Sequence, residues 1–178
     1  SLAIILSPII VGGGVGLIGK EIAPYVGEVT TWIGKMVQLA TDLQPLPMTI
    51  IIAMAFAVII VTPVSTVGIA LAITLSGLGS AAAGVGIVAT TVVLLVNSIR
   101  VNKVGTTVAI FLGAMKGMMP SVFKKPVMLF SFMVAAAISA LPISFLNVQG
   151  TPTSAGFGWI GFVSPIQSVV RDVADKAF

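Results

Sequence analysis

The residues of this chain that are best suited to chemistry are hydroxyls, and they stand beside two prolines. The sequence TPVST begins at Thr62 and the sequence TPTS begins at Thr151, and each lies inside a long uncharged apolar run. A proline removes a backbone donor and leaves a carbonyl without its helical partner. Such breaks have three interpretations. They are helix kinks healed by their own hydroxyls, they line a polar cavity that binds a solute, or they act only as gating hinges.

In the second interpretation the two breaks face each other near the middle of a membrane. Their carbonyls, amides and hydroxyls would then hydrogen-bond a neutral, sugar-like solute. The prolines would open the helices, and two glycines after the second break would let the backbone approach the solute. The predicted solute-binding residues are Thr62, Pro63, Ser65, Thr66, Thr151, Pro152, Thr153, Ser154, Gly156 and Gly158.

Few other residues of the chain are suited to chemistry. The absence of histidine and cysteine removes the commonest general base and any thiolate metal site. The GxGxxG spacing occurs at 14–19 and 156–161, but no alternation of strands and helices follows it. A dinucleotide site is therefore not expected. We expect no catalytic residue, no metal and no cofactor.

Composition indicates that the breaks lie in a membrane. Of the 178 residues, 57% are hydrophobic and 8% are charged, whereas a soluble domain carries about 25% charged residues. No charge occurs at 43–99 or at 126–170. As one helix the first run would extend about 85 Å, so it must cross a hydrocarbon core of roughly 30 Å at least twice. The net charge of +4 suits control of topology better than nucleic-acid binding.

The apolar segments are short or interrupted. Runs at 48–61, 104–115 and 127–141 stop at prolines or basic residues, glycines interrupt 66–96, and 158–170 forms a last apolar segment. The pattern at 22–42 predicts an amphipathic helix that either packs on the bundle or senses lipid. We predict an all-α fold, a single polytopic transmembrane domain over residues 1–178 with short, broken or re-entrant segments.

Lys116 directly follows the short run at 104–115. It lies among methionines in the sequence GAMKGMMP. It either extends to the membrane interface or marks the rim of a pocket. Basic residues flank 104–115 on both sides, so the positive-inside rule places both ends of this segment on the cytoplasmic face.

Three stretches of the sequence resemble a known family. They are TPVSTVGIALAITLSGLGSAAAGVGIVATT, NKVGTTVAIFLGAMKGMMPSVFKKP and GTPTSAGFGWIGFVSPI. They are similar to phosphotransferase-system EIIC-like membrane proteins of type 2, some of which are labelled perfringolysin-regulator-like. The resemblance runs from about residue 5 to residue 166. Family members are roughly twice this length, so the resemblance implies the C-terminal half of a longer permease-like protein whose N-terminal half is missing here.

The resemblance also implies a function. It implies a multi-pass sugar permease of the bacterial cell membrane that pairs as a homodimer. Phosphotransferase partner subunits would supply the phosphocysteine, so the chain alone is not expected to be an enzyme. Well-studied permeases hold the sugar with acidic or histidine residues, for which Glu21 and Glu28 are the nearest candidates. The alternative is a membrane-embedded sensor or regulator that has a permease-like fold and transports nothing.

Overall fold

The protein is described by a computed structural model over residues 32–160, together with Glu28 and Ile166. These residues are helical, and the predicted helical fold is confirmed for them. Their only extended pairing is an isolated bridge between Gly77 and Gly150. The predicted segment at 158–170 lies largely outside the described residues. The helices are α1, described over 32–43; α2, Pro45–Ile59; α3, Thr66–Ala72; α4, Gly77–Val101; α5, Val104–Phe111; α6, Met119–Lys124; α7, Val127–Leu146; and α8, Pro152–Phe157, with a 3-10 turn at Met115–Met118.

Two helices of the described ranges are long and apolar enough to cross a bilayer. They are α4, with 25 residues, and α7, with 20. With 15 residues, α2 is short for a full pass. On α7 the side chains of Phe130, Ile138 and Phe145 are 69%, 64% and 75% exposed. Such a surface is suited to contact with hydrocarbon.

Helices α2 and α4 run side by side in the same direction. Gly86 of α4 lies against the backbone of Ala53, and one turn later Thr90 donates a hydrogen bond of 3.1 Å to the Ala57 carbonyl. A glycine is required at this crossing, because a Cβ on Gly86 would lie 2.2 Å from the Ala53 oxygen. Small residues at helix contacts are typical of membrane proteins.

Helix α7 packs on this pair in the opposite direction. The bridge between Gly77 and Gly150 joins the start of α4 to the chain just after α7, through hydrogen bonds of 3.1 and 3.0 Å. The hydroxyls of Thr49, near the start of α2, and Ser144, near the end of α7, are 2.9 Å apart. The core therefore lies between α2, α4 and α7, and the short helices are added around it.

Helix α1 packs on this bundle near the end of α3. A Cβ on Gly34 would lie 2.1 Å from the Ile73 carbonyl oxygen, so the two segments are in close contact. Trp32 on the same helix is 61% exposed. The sequence left open whether the amphipathic helix at 22–42 packs on the bundle or senses lipid. Its described part, residues 32–43, packs on the bundle.

Two positions at which the sequence predicted an interrupted helix do not interrupt one in the structure. Gly77 and Gly79 do not divide a helix, because Gly77 begins α4 with φ +63° and α4 then continues to Val101. Pro142 does not end α7, which continues to Leu146. A proline inside a helix loses one hydrogen bond, but the turn after it is anchored by Ile143, which is 3% exposed, and by Ser144.

The close crossing of α2 and α4 predicts the effect of adding one methyl group. Gly86→Ala should lower the midpoint of thermal unfolding in detergent, because the added Cβ collides with the Ala53 carbonyl and overpacking costs about 1–3 kcal/mol. Gly105→Ala is the matched control, since nothing lies within 4 Å of its Cβ. There the higher helix propensity of alanine should give a gain of up to about 1 kcal/mol. Equal midpoints for the two variants would contradict the crossing.

Candidate functional site

The two Thr-Pro-x-Ser breaks lead into two short helices that pack against each other. These are α3 and α8. The hydroxyl of Thr66, the first residue of α3, donates a buried hydrogen bond of 2.8 Å to the Gly156 carbonyl. A Cβ on Gly156 would lie 2.4 Å from the Cα of Val67. The structure therefore brings the chain after the first break into direct contact with the chain after the second.

At the first break, hydroxyls bind backbone groups at the end of α2 and the start of α3. Thr62 donates to the Ile59 carbonyl at 2.7 Å and accepts from the Val64 amide at 3.3 Å. Ser65 caps α3 by accepting from the Gly68 amide at 3.0 Å. Serine at this position stabilises a helix by about 1 kcal/mol relative to alanine.

At the second break, Thr151 and Ser154 form a capping box. The Thr151 hydroxyl accepts from the Ser154 amide at 3.2 Å, and the Ser154 hydroxyl accepts from the Thr151 amide at 2.8 Å. The Thr151 and Thr153 hydroxyls are 3.0 Å apart, and Pro152 occupies the first turn of α8, where its missing N–H costs nothing. Ser80 of α4 donates to the Thr151 carbonyl.

The two breaks differ in exposure. Ser154 is 8% exposed, and Thr151 is partly buried. In contrast, Pro63, Val64 and Ser65 at the first break are exposed. Within the described ranges, the Ser65 hydroxyl accepts one bond and donates none. The second break is therefore buried within the protein, whereas the polar groups of the first break are exposed.

The two glycines of the predicted site contact protein. Gly156 lies against α3, as described above, and Gly158 lies against α4, where its Cβ would be 2.6 Å from the Cβ of Ile87. Gly158 also has φ +53°, which favours glycine. The close backbone approach expected for these glycines thus occurs between helices.

A third interrupted segment, the residues between α5 and α6, reaches the first break. Lys116 of this segment donates a hydrogen bond of 2.5 Å from its Nζ to the Val64 carbonyl. We call residues 111–116 the tip. The sequence left open whether Lys116 extends to the interface or lies at a pocket rim, and the structure places its ammonium group on the first break.

The tip also contacts the chain just after α8. Trp159 donates a hydrogen bond of 2.9 Å from its indole nitrogen to the Phe111 carbonyl, and the two rings make an edge contact with centroids 5.6 Å apart. Gly113, with φ +117°, packs against Ile160. Sequence reasoning missed these contacts, and the only signal for them was the short length of the 104–115 run.

The three segments meet beside the middle of α4. The Ser98 and Thr107 hydroxyls are 2.9 Å apart, and further back along α4 Thr91 donates to the Met115 sulfur at 2.8 Å. Thr91 lies about 15 Å before Val101 at 1.5 Å per residue. Residues 104–115 thus run back along α4 from its end toward its middle. Inside a bilayer, non-helical backbone is tolerated where protein buries it or where it lines a wet cavity.

Apolar helices flanked by broken half-helices that meet near the midpoint are features of transport-type membrane proteins. The described residues contain no cluster of three potential metal ligands among histidine, cysteine and acidic side chains. The model of the family described as phosphotransferase system, EIIC, matches residues 1–177, and the chain belongs to that family. Comparisons with curated proteins and with solved structures found no match. Family membership makes the chain a membrane component of a sugar-transport system and confirms the resemblance read from the sequence.

The contact between the two breaks predicts a specific loss of stability. Thr66→Val keeps the shape of the side chain but leaves the buried Gly156 carbonyl without its donor. It should lower the free energy of unfolding by about 1–3 kcal/mol, measured by unfolding in detergent. Thr106→Val, at an exposed threonine of α5, is the control and should be close to neutral. A Thr66→Val protein as stable as the control variant would contradict the pairing of α3 with α8.

Proposed function

We propose that the chain is a sugar-permease domain that binds a neutral, hydrophilic solute where the two Thr-Pro-x-Ser breaks and the tip meet. The observation that carries the proposal is the hydrogen bond from Thr66 to the Gly156 carbonyl. It joins two broken segments that are 90 residues apart in the chain. Paired broken segments are the sequence feature that most often marks a transporter's binding site.

The residues of the proposed site have two kinds of role. At the first break Thr62, Ser65 and the Val64 carbonyl provide donors and acceptors for the hydroxyls of a sugar, and Pro63 keeps this backbone out of a helix. The second break holds the first in place. It does so through the residues Thr66, Thr151, Pro152, Thr153, Ser154, Gly156 and Gly158, of which Thr151 and Thr153 also complete the polar lining.

Chemistry on the sugar is assigned to partner subunits. Members of this family are transporter components that work with other phosphotransferase proteins. In this proposal the chain presents a sugar hydroxyl to a phosphorylated partner and is not itself an enzyme. A homodimer in the bacterial plasma membrane, and an N-terminal half that completes the solute pathway, belong to the same proposal. The exposed apolar face of α7 is available for lipid or for a second copy.

Binding is tested on the detergent-purified, full-length protein by thermal unfolding with a panel of sugars, sugar phosphates, nucleosides and organic acids. A ligand at a hundred times its dissociation constant adds about 2.7 kcal/mol to the folded state, so at least one sugar should raise the midpoint. Ser65→Ala should weaken the binding of that sugar by about fivefold to tenfold, because a hydrogen bond to a neutral hydroxyl is worth about 1 kcal/mol.

Ser76→Ala is the matched control for this test. Ser76 is an exposed serine before α4 that makes no capping bond with its side chain, so its replacement should leave the affinity unchanged. Sugar uptake into vesicles then separates a permease from a regulator. A sugar that binds but is never taken up, even with the phosphotransferase partners present, would contradict transport.

A further inference from the structure

Among the described residues from 43 to 160, Lys116 is the charged residue that contacts a break. The other four cations between residues 43 and 160 lie in or beside the ends of α4, α6 and α7: Arg100, Lys103, Lys124 and Lys125. From residue 43 to residue 170 the chain contains no acidic residue. Lys116, whose side chain is exposed, donates its hydrogen bond to a backbone carbonyl, that of Val64.

Lys116 is exposed, but it directly follows a buried residue that packs near the middle of α4. Its neighbour Met115 is fully buried and lies beside Thr91, near the middle of α4. A lysine at a helix end extends its ammonium to the membrane interface, but here the Nζ is turned to the first break. Ionisable residues within transmembrane bundles usually face a water-filled cavity and mark a substrate pathway.

The chemistry around Lys116 favours a negatively charged group. An ammonium has three N–H donors, and the bond to the Val64 carbonyl uses one of them. The adjacent Ser65 is exposed, and in the part of the chain that the structure describes its hydroxyl donates to no group. An ammonium bound to the residue before an exposed serine suits an oxyanion, since charge-assisted hydrogen bonds are about twice as strong as neutral ones.

We propose that the first break also binds sugars that carry an oxyanion, either a phosphate monoester or a carboxylate, and that Lys116 binds this group. This inference rests on the proposed function, because it places the oxyanion on the solute that the breaks bind. The uncharged part of the sugar contacts the hydroxyls of the first break. The affinity then increases when the same sugar carries a negative group that reaches the Lys116 ammonium.

The test compares matched sets of ligands by calorimetric titration of the full-length protein in detergent. Each set contains a neutral hexose, its 6-phosphate and its uronic acid, and inorganic phosphate is titrated separately. One anionic member should bind at least about tenfold more tightly than its neutral parent, which corresponds to one charge-assisted hydrogen bond. The 6-phosphate and the uronic acid distinguish the two sources of the oxyanion.

Three variants of Lys116 separate charge from structure. Lys116→Met should remove the preference for the anion, so that the anionic member of a set and its neutral parent bind with equal affinity. Lys116→Gln serves the same purpose if the methionine variant does not fold, since glutamine can still donate to the Val64 carbonyl without a charge. Lys116→Arg should retain most of the preference. Lys103→Met, at an exposed lysine before α5, is the control and should bind as the unmodified protein does.

The outcomes distinguish this inference from the function on which it rests. Neutral hexoses that bind as tightly as their anionic forms would overturn the role of Lys116 and leave the sugar site standing. The same conclusion would follow if Lys116→Gln kept the full preference for the anion. If no sugar of either kind binds to the folded protein, both proposals fail. Binding of inorganic phosphate that survives Lys116→Gln would place the anion elsewhere.

Discussion

Every break in a helix within an apolar medium leaves backbone groups that need new partners, and the arrangement of this protein depends on how they are supplied. In hydrocarbon an unpaired amide or carbonyl costs several kcal/mol. The chain uses hydroxyls for this purpose. Thr62 and Ser65 bind the backbone at the first break, Thr151 and Ser154 bind it at the second, and Thr66 joins the two segments. These bonds supply partners for part of the backbone where the interrupted helices meet near the middle of α4.

The same requirement explains why the two breaks differ, although their sequences are alike. At the second break the capping box and Ser80 use the hydroxyls and the Thr151 carbonyl for internal bonds. At the first break the Val64 carbonyl is bound by a lysine that comes from another segment. A bond to the long, flexible side chain of a lysine can be exchanged for a bond to a ligand more easily than a bond within a helix cap can. The first break is therefore the part of the site where a solute can compete.

Residue types predicted the local features of the chain better than they predicted the contacts between its segments. The apolar runs and the two prolines placed the helical segments and both breaks, because a missing amide acts on its own turn whatever packs around it. The same reasoning wrongly expected Pro142 to end α7, since the cost of one lost hydrogen bond is offset by the packing of Ile143. The contact of Lys116 with Val64 joins residues 52 apart. No local sequence pattern encodes a contact between residues so far apart in the chain, so only the folded chain shows it.

The most direct test of the account asks whether the first break is wet and accessible to a solute. The chain contains no cysteine, so single cysteines can be placed by Ser65→Cys and, on the outer face of α7, by Ile138→Cys. The rate of reaction with a charged, water-soluble thiol reagent is then measured in membrane vesicles, since thiolates react only where water reaches them. The account predicts that the cysteine at 65 reacts, that a bound sugar slows its reaction, and that the cysteine at 138 stays unreactive. A cysteine at 65 as unreactive as the one at 138 would contradict the account.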